Sequence, residues 1–544
     1  MSSRVYRSVP ARMGVVVVAA AALAAACSSS SHKATTATTN GSTGVTSGAS
    51  TTAAPSFNPN GILKYGYDFS AQFSNIDPGK SQSPCSAIVT QPIFDTLIHQ
   101  GIKGDLEPGL ATSWDTTVNP NTVTLHLRSG VTFSDGETFD ANAVKAGILH
   151  NATNTQFSDL QDLMKSDPVD VIDPMTVKLN FNSDQPPPAV LYNLTGIEGE
   201  MVAPNHIADA SSNPVGAGPM EFVSYTPGSS LVEKANPTYW GKQADPWHLG
   251  GIDWVQVSVG PPEVTALKSG AVDLVPIQPS DYAAIKGNPS YGINTQSAPD
   301  YLQFQFRFTP PFDNLAVRQA VEFAINRSQI NQVVQDGLGE VASEPFAKNS
   351  PAYDPSLASL YSYDPAKAKQ LLQQSGLPLP IKITMAIPGG NIASMADQGA
   401  IIQQNLDAVG FNVSIAPIPG NAIASQYYIG GQGNAFAAQR PGEAYPPVQI
   451  ADQWATGQFV AKYSKGENPQ ITSIINNALA ASDTSQVFSL TKQALGIVMN
   501  QALDVPIAFA VEVSAYNTSR VGGQVYAQNQ TCNAPIMNGI MVKS

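Results

Sequence analysis

Between residues 365 and 418 the chain reads as helix, strand, helix, strand. PAKAKQLLQQSG carries Pro365 in its first turn and Gly376 just past its end, the asymmetry of a capped helix. IKITMAI follows as a strand. ADQGAIIQQNLDAVG is a second helix that stops at Gly410, and FNVSIAPI is a second strand. Such a succession commits this part of the chain to an α/β architecture, because each amphipathic helix must cover a sheet to bury its apolar stripe. Earlier segments agree. In NTVTLHLRSGV, residues 121 to 131, Val123, Leu125 and Leu127 face one way and Thr124, His126 and Arg128 the other, as in a half-buried strand. SDGE at 134 to 137 is a turn. FDANAVKAGILHNA then begins a helix with Asp140 as its N-cap, and DPMTVKLNFN gives another alternating strand. LAVRQAVEFAINRSQINQVV, residues 315 to 334, places Val317, Ala320, Val321, Ala324 and Ile325 on one stripe, and LDVPIAFAVEVSAYN is strand-like. The whole is expected to be α/β with two or more lobes.

The front of the chain is of another kind. Arg4, Arg7 and Arg12 precede GVVVVAAAALAAA, an apolar run of signal-peptide length that is short for a permanent span. Cys27 ends that run and opens SSSSHKATTATTNGSTG, which lacks the large apolar residues needed to offset the entropy of ordering. Residues 1–26 are expected to be a signal peptide and 27–57 a flexible tether. Ala24, Ala25 and Ala26 before Cys27 resemble the lipobox of bacterial lipoproteins, with Ala24 where that pattern favours Leu. The resemblance implies a diacylglyceryl group on Cys27 and anchoring of an exported body to the membrane. An ordinary cleaved signal peptide, with Cys27 incidental, is the alternative.

Composition narrows the partners. Formal net charge is −13 and charged residues are 13 % of the chain, with no Lys/Arg cluster, which argues against nucleic acid and against a polybasic membrane face. Besides Cys27 there are two cysteines, Cys85 and Cys532. Export permits a disulfide between them, tying the start of the body to its end, with two buried free thiols as the alternative. There is no CxxC, no HExxH and no His/Cys cluster, so neither a metal site nor a cofactor is expected. The six histidines stand beside no nucleophile motif. An exported hydrolase stays open as an alternative, since a triad can be assembled from remote residues.

Six stretches, in order along the chain, resemble the family 5 solute-binding proteins of ABC transporters, which include oligopeptide, dipeptide and nickel binders. They are LEPGLATSW (106–114), VTLHLRSGVTFSDGETFDANAV (123–144), NPVGAGPMEFVSYTPGSSLVEKANPTYWG (213–241), TALKSGAVDLV (265–275), PPFDNLAVRQAVEFAINRSQI (310–330) and YSYDPAKAKQLLQQSG (361–376). The second is the most specific, matching through Leu127, Arg128, Gly130, Val131, Phe133, Asp135, Gly136, Ala141 and Val144. Departures are Thr138, Ala217 and Met220, where the family favours Pro, Thr and Tyr, and Asn142 or its neighbour, where it has an acidic residue. Gly130, Gly136, Gly216, Gly218, Asn236, Tyr239 and Trp240 read as scaffold rather than ligand contacts.

The resemblance implies a periplasmic-binding-protein-like type II fold, a two-lobed Venus flytrap. Lobe one would take residues 58–305 and 515–544, with a subdomain at 95–200, and lobe two 306–514. Cys85 and Cys532 would then share a lobe. The protein would be a monomer on the periplasmic side of the cell membrane, held there only by its lipid. It would capture a peptide or peptide-like solute by closure, without chemistry, and deliver it to a permease and ATPase complex. In peptide-binding relatives an aspartate near a Y-P-D-P stretch meets the peptide's amino terminus. The nearest match here is RPGEAYPPVQIADQW, residues 440 to 454, with Pro447 in place of the acid and Glu443 and Asp452 flanking it. The family's Asn before P-P-F-D is also missing, and Gln305 and Arg307 stand there instead. The ligand residues expected at the seam are Gln305, Arg307, Arg440, Glu443, Tyr445 and Trp454. A non-peptide solute, such as a modified metabolite, a glycoside or a metallophore, is the alternative ligand.

Overall fold

The structure is a computed structural model. It describes residues 57–544 apart from 82, 102–104, 119–120, 154–163, 182–186, 243–246, 390–392, 420–421, 441, 443–444, 482 and 526–536. The signal segment, Cys27 and the tether up to residue 56 therefore lie outside the described residues, as do Glu443 and Cys532.

Ten strands form one continuous sheet. Its spatial order is Phe411–Pro419, Ile381–Gly389, Ala435–Arg440, Tyr291–Phe306, Val505–Asn517, Leu274–Ile277, Ile62–Tyr67, Gly251–Gln256, Ser230–Ala235 and Met220–Thr226. The two longest strands, Tyr291–Phe306 and Val505–Asn517, lie antiparallel at the centre and run the length of the sheet. Each has an outer neighbour over only part of its length. Residues 301–306 of the first pair with Ala435–Arg440, whereas residues 513–516 of the second pair with Leu274–Ile277. Between Ser297 and Tyr301 the register of the central pair breaks. The two long strands thus carry the chain from one packed half to the other and back.

Each half has its own core, because each face of the sheet must be covered. On one side Phe304, Phe306, Ala435 and Ala437 pack with Val317, Val321, Ile330, Ile402 and Leu406 from helices. On the other, Leu63, Tyr65, Leu231, Ile252 and Trp254 pack beneath Val89, Ile93 and Phe94 of the Ala87–Phe94 helix. Outer strands run parallel where a helix provides the crossover: Ile381–Gly389 lies parallel to Phe411–Pro419 through the Ala393–Asp407 helix. A separate four-stranded antiparallel sheet, ordered Ala111–Val118, Asn121–Leu127, Thr176–Phe181, Met164–Asp173, has its own core around Val123, Leu125, Val144, Ile148 and Leu179.

The local readings hold where they fall on described residues. Val123, Leu125 and Leu127 are buried, and Asp140 caps Ala141–Asn151 by accepting from the Asn142 and Ala143 amides. Gly376 and Gly410 take the positive φ that ends their helices. The periodic run from 315 to 334 is two helices, Leu315–Ala324 and Arg327–Gln335. Asn326 breaks it, because its side chain accepts from the Gln329 amide and starts a new N-terminus. The buried Arg327–Glu322 ion pair spans the break.

Candidate functional site

On the half that carries Ala435–Arg440, period-2 alternation divides the strand residues between two faces. Phe304 and Phe306 enter the apolar core, so Tyr301, Gln303 and Gln305 face the opposite way. Tyr301 pairs with Arg440 and Gln305 with Phe436, so Arg440 joins the same face. The helix Pro446–Trp454 lies over it and supplies Asp452 and Gln453. The result is a buried polar layer on the face of the sheet away from Phe304 and Phe306.

Its contacts are specific. Arg440, 6 % exposed, donates through Nη2 to Asp452 Oδ2 at 2.7 Å. Asp452 is 32 % exposed and is the part of this pair that solvent reaches. Burial works to lower the Arg440 pKa, but the fields of Tyr301 and Asp452 hold the guanidinium above its ordinary value. It stays charged. Tyr301 donates its hydroxyl to Asp504 Oδ2 at 2.7 Å and accepts from Gln453 Nε2 at 3.0 Å. Burial pushes the Asp504 carboxyl up to about 6. Tyr428 donates to Gln305 Oε1 at 3.0 Å from a π-helical turn, Ala424–Ile429, a geometry often found at functional sites. Arg440 Nε, Gln303 Oε1 and Asp504 Oδ1 are buried without a hydrogen-bond partner among the described residues. Unmet polar groups in a dry layer are costly, and these three are the least satisfied part of it.

The residues expected from sequence fall into three groups. Gln305 and Arg440 belong to the layer, and Tyr445 stands immediately before the helix that covers it. Tyr445 is half-buried, and after burial its second influence is the field of Tyr192, a residue of the Pro187–Asn193 helix that packs with the four-stranded sheet. Arg307 is turned away. Its Nε donates to the Gly433 carbonyl at 3.2 Å, Nη1 to the Tyr463 carbonyl at 2.6 Å and Nη2 to the Tyr427 carbonyl, with its carbon 4.8 Å above the Tyr427 ring. Trp454 is 2 % exposed, in a core with Ile450, Ile471, Ala494 and Val498. Pro446 and Pro447 are buried in the first helical turn, so that turn carries no carboxylate. Cys85 is disulfide-bonded.

Sequence reasoning missed Tyr301, Gln303, Tyr428, Asp504 and Tyr192. The alternation in YLQFQF was the available signal for the first two, since it puts them on the face of Gln305. Tyr428, Asp504 and Tyr192 come from distant segments, and no spacing in the sequence links them to Arg440.

Two cores bridged by a pair of crossing strands, with polar groups gathered beside the crossing, define a two-lobed binding protein. The chain matches the model for "Bacterial extracellular solute-binding proteins, family 5 Middle" over residues 105–461, more than half its length, and belongs to that family. A glutathione-binding protein, GsiB of Salmonella paratyphi A, is 26 % identical over 478 residues, covering 83 % of this chain and 90 % of the relative. Among solved structures, NikA from Brucella suis in complex with Fe(III)-EDTA superposes with a TM-score of 0.75 at 21 % identity, covering 88 % of this chain and 100 % of that one. DppA from Helicobacter pylori in complex with the peptide STSA gives 0.72 at 21 %, covering 90 % and 99 %. The fold is the two-lobed, type II periplasmic-binding-protein fold. The protein is an extracytoplasmic solute-binding protein of the ABC-importer type. The family binds its solute without catalysis, which sets aside the hydrolase alternative.

Proposed function

We propose that the protein captures a small peptide or peptide-like solute between its lobes and delivers it to a membrane permease. The observation that carries this reading is the buried Arg440 guanidinium held at 2.7 Å by Asp452, whose carboxylate solvent reaches, on one face of the second-lobe sheet with Gln305. Tyr445 offers broad apolar contact with a polar tip, suited to a solute of mixed character. Asp452, which solvent reaches, offers a carboxylate to an ammonium group. The resemblance to a glutathione-binding protein supports a solute of about tripeptide size. Gln305, Tyr428 and Glu443 complete the proposed second-lobe contacts, whereas the bonding of Arg307 and the burial of Trp454 favour supporting roles.

Closure requires that the solute bind the closed form better than the open one. The register break between Ser297 and Tyr301 and the partial outer pairing of the long strands support lobe boundaries near residues 305 and 515. We infer that Cys27 carries the lipid anchor, that Cys85 pairs with Cys532 inside lobe one, and that the body works as a monomer. A thermal-shift screen with glutathione, short peptides and their N-acetylated forms tests the ligand class. Stabilisation by free peptides, lost on acetylation, is the expected result. A second reading, a non-peptide solute, is favoured by Pro446 and Pro447, which leave the first turn of the covering helix without an acid. It predicts stabilisation by a sugar conjugate or metal chelate and by no peptide.

A further inference from the structure

The register of the crossing strand Tyr291–Phe306 breaks between Ser297 and Tyr301, where the strand passes from one lobe to the other. Inside that break stands Asp300, 5 % exposed. Both its carboxylate oxygens hold groups of the second lobe. Oδ1 accepts from the Gly442 amide at 3.0 Å and Oδ2 from Gln439 Nε2 at 3.1 Å. Independently, the Gly442 backbone is pressed against the same break. A Cβ added there would lie 2.4 Å from the Pro299 carbonyl carbon, a distance no side chain tolerates without backbone movement. Gly442 lies shortly before Tyr445 in the chain, and Tyr445 adjoins the helix that carries Asp452. The next residue of the break, Tyr301, is bonded to Asp504 beside the return strand and to Gln453 on that same helix.

We propose that Asp300 is a positioning residue for solute capture: its bonds to Gly442 and Gln439 couple the angle between the lobes to the second-lobe strand end that presents Arg440. The inference rests on the reading that the Arg440–Asp452 face meets the solute. A hinge stores its motion in a few backbone positions. Here the irregular stretch is itself bonded to the second-lobe strand end, so rotation about 297–301 displaces Gly442 with the Asp300 carboxylate. A carboxylate whose only task was to neutralise nearby Arg440 would need neither the amide bond nor the close approach of Pro299.

The test uses the full chain without added solute, so that the identity of the solute does not enter. Fluorophores placed at Lys268 and Lys369, exposed positions in opposite lobes, report the inter-lobe distance by single-molecule energy transfer. Asp300→Ala removes the bonds and Gly442→Ala wedges the contact. Each should shift the mean distance by about 2 Å or more, or broaden its distribution. Asp300→Asn keeps an acceptor for the Gly442 amide and should restore the wild-type distribution. Should Asp300→Ala fail to fold, Gly442→Ala and Asp300→Asn carry the comparison. A wild-type distribution in Gly442→Ala and in any folded Asp300→Ala, even with a lower melting temperature, would overturn the proposal and leave Asp300 a brace. An Asp300→Asn distribution unlike the wild type's would overturn it as well.

Discussion

Replacing Arg307 by methionine asks whether this buried guanidinium holds the lobe together or meets the solute. Methionine keeps the length of the stem and removes all donors. Three main-chain carbonyls, of Gly433, Tyr427 and Tyr463, then lose their charged partner, and the Tyr427 ring loses the cation above it. A hydrogen bond from a charged donor is worth roughly 1.5–3 kcal/mol net. Losses within one network do not add, and some carbonyls will recruit water, so the expected cost is about 3–5 kcal/mol. These carbonyls belong to the π-helical turn, the strand entry at Gly433 and the Phe459–Ser464 helix, so three segments should loosen together. Urea unfolding followed by tryptophan fluorescence measures the loss as a lower midpoint at constant slope. Affinity for the solute found in the thermal screen should stay within about threefold, or 0.7 kcal/mol. A stability loss under about 1 kcal/mol with a tenfold loss of affinity would refute the reasoning and put Arg307 in the solute site.

Trp454→Ala should cost about 3–5 kcal/mol, because the ring fills a core with Ile450, Ile471 and Val498, and denaturant unfolding would register it. Asp504 gives a pH prediction. Its carboxyl is pushed from the ordinary 3.8 to about 6, so the folded state binds the extra proton. The sign follows from linkage: stability rises as pH falls from about 6 toward 4 and the penalty is fully present above 6. The shift corresponds to about 3 kcal/mol. Asp504→Asn should lose that part of the pH dependence when unfolding is measured from pH 7 to 4, and an unchanged profile would count against it. Cys27→Ser should abolish incorporation of labelled palmitate in a bacterial host; equal labelling of both proteins would exclude the anchor at this residue.

Much of the local structure was legible because local rules decide it. Asp140 at a helix start and Gly376 at a helix end act within one turn of backbone, and their side chains or φ angles need no distant partner. Gln305 and Arg440 were legible as candidates through family resemblance, yet that resemblance equally suggested Arg307 and Trp454. Strand alternation puts Arg307 on the face of Gln305, but the carbonyls that occupy its donors come from residues 427, 433 and 463. Nothing in a linear pattern shows where those carbonyls will lie. Trp454 was read as an aromatic for the solute, whereas helix phase turns it to Ile450 and the Pro469–Leu479 helix.

The sequence by itself determined the class of fold and the family, because periodicity, caps and turn glycines act over a few residues and the family motifs follow in order along the chain. Tertiary structure alone decided which polar residues share a face and which acids meet Arg440. It also decided where the register of the crossing strands breaks. Asp300, Arg440, Asp452 and Asp504 are brought together by strand register and by a helix laid across it. Register is a long-range choice: one step of slippage would turn every one of these strand side chains to the other face.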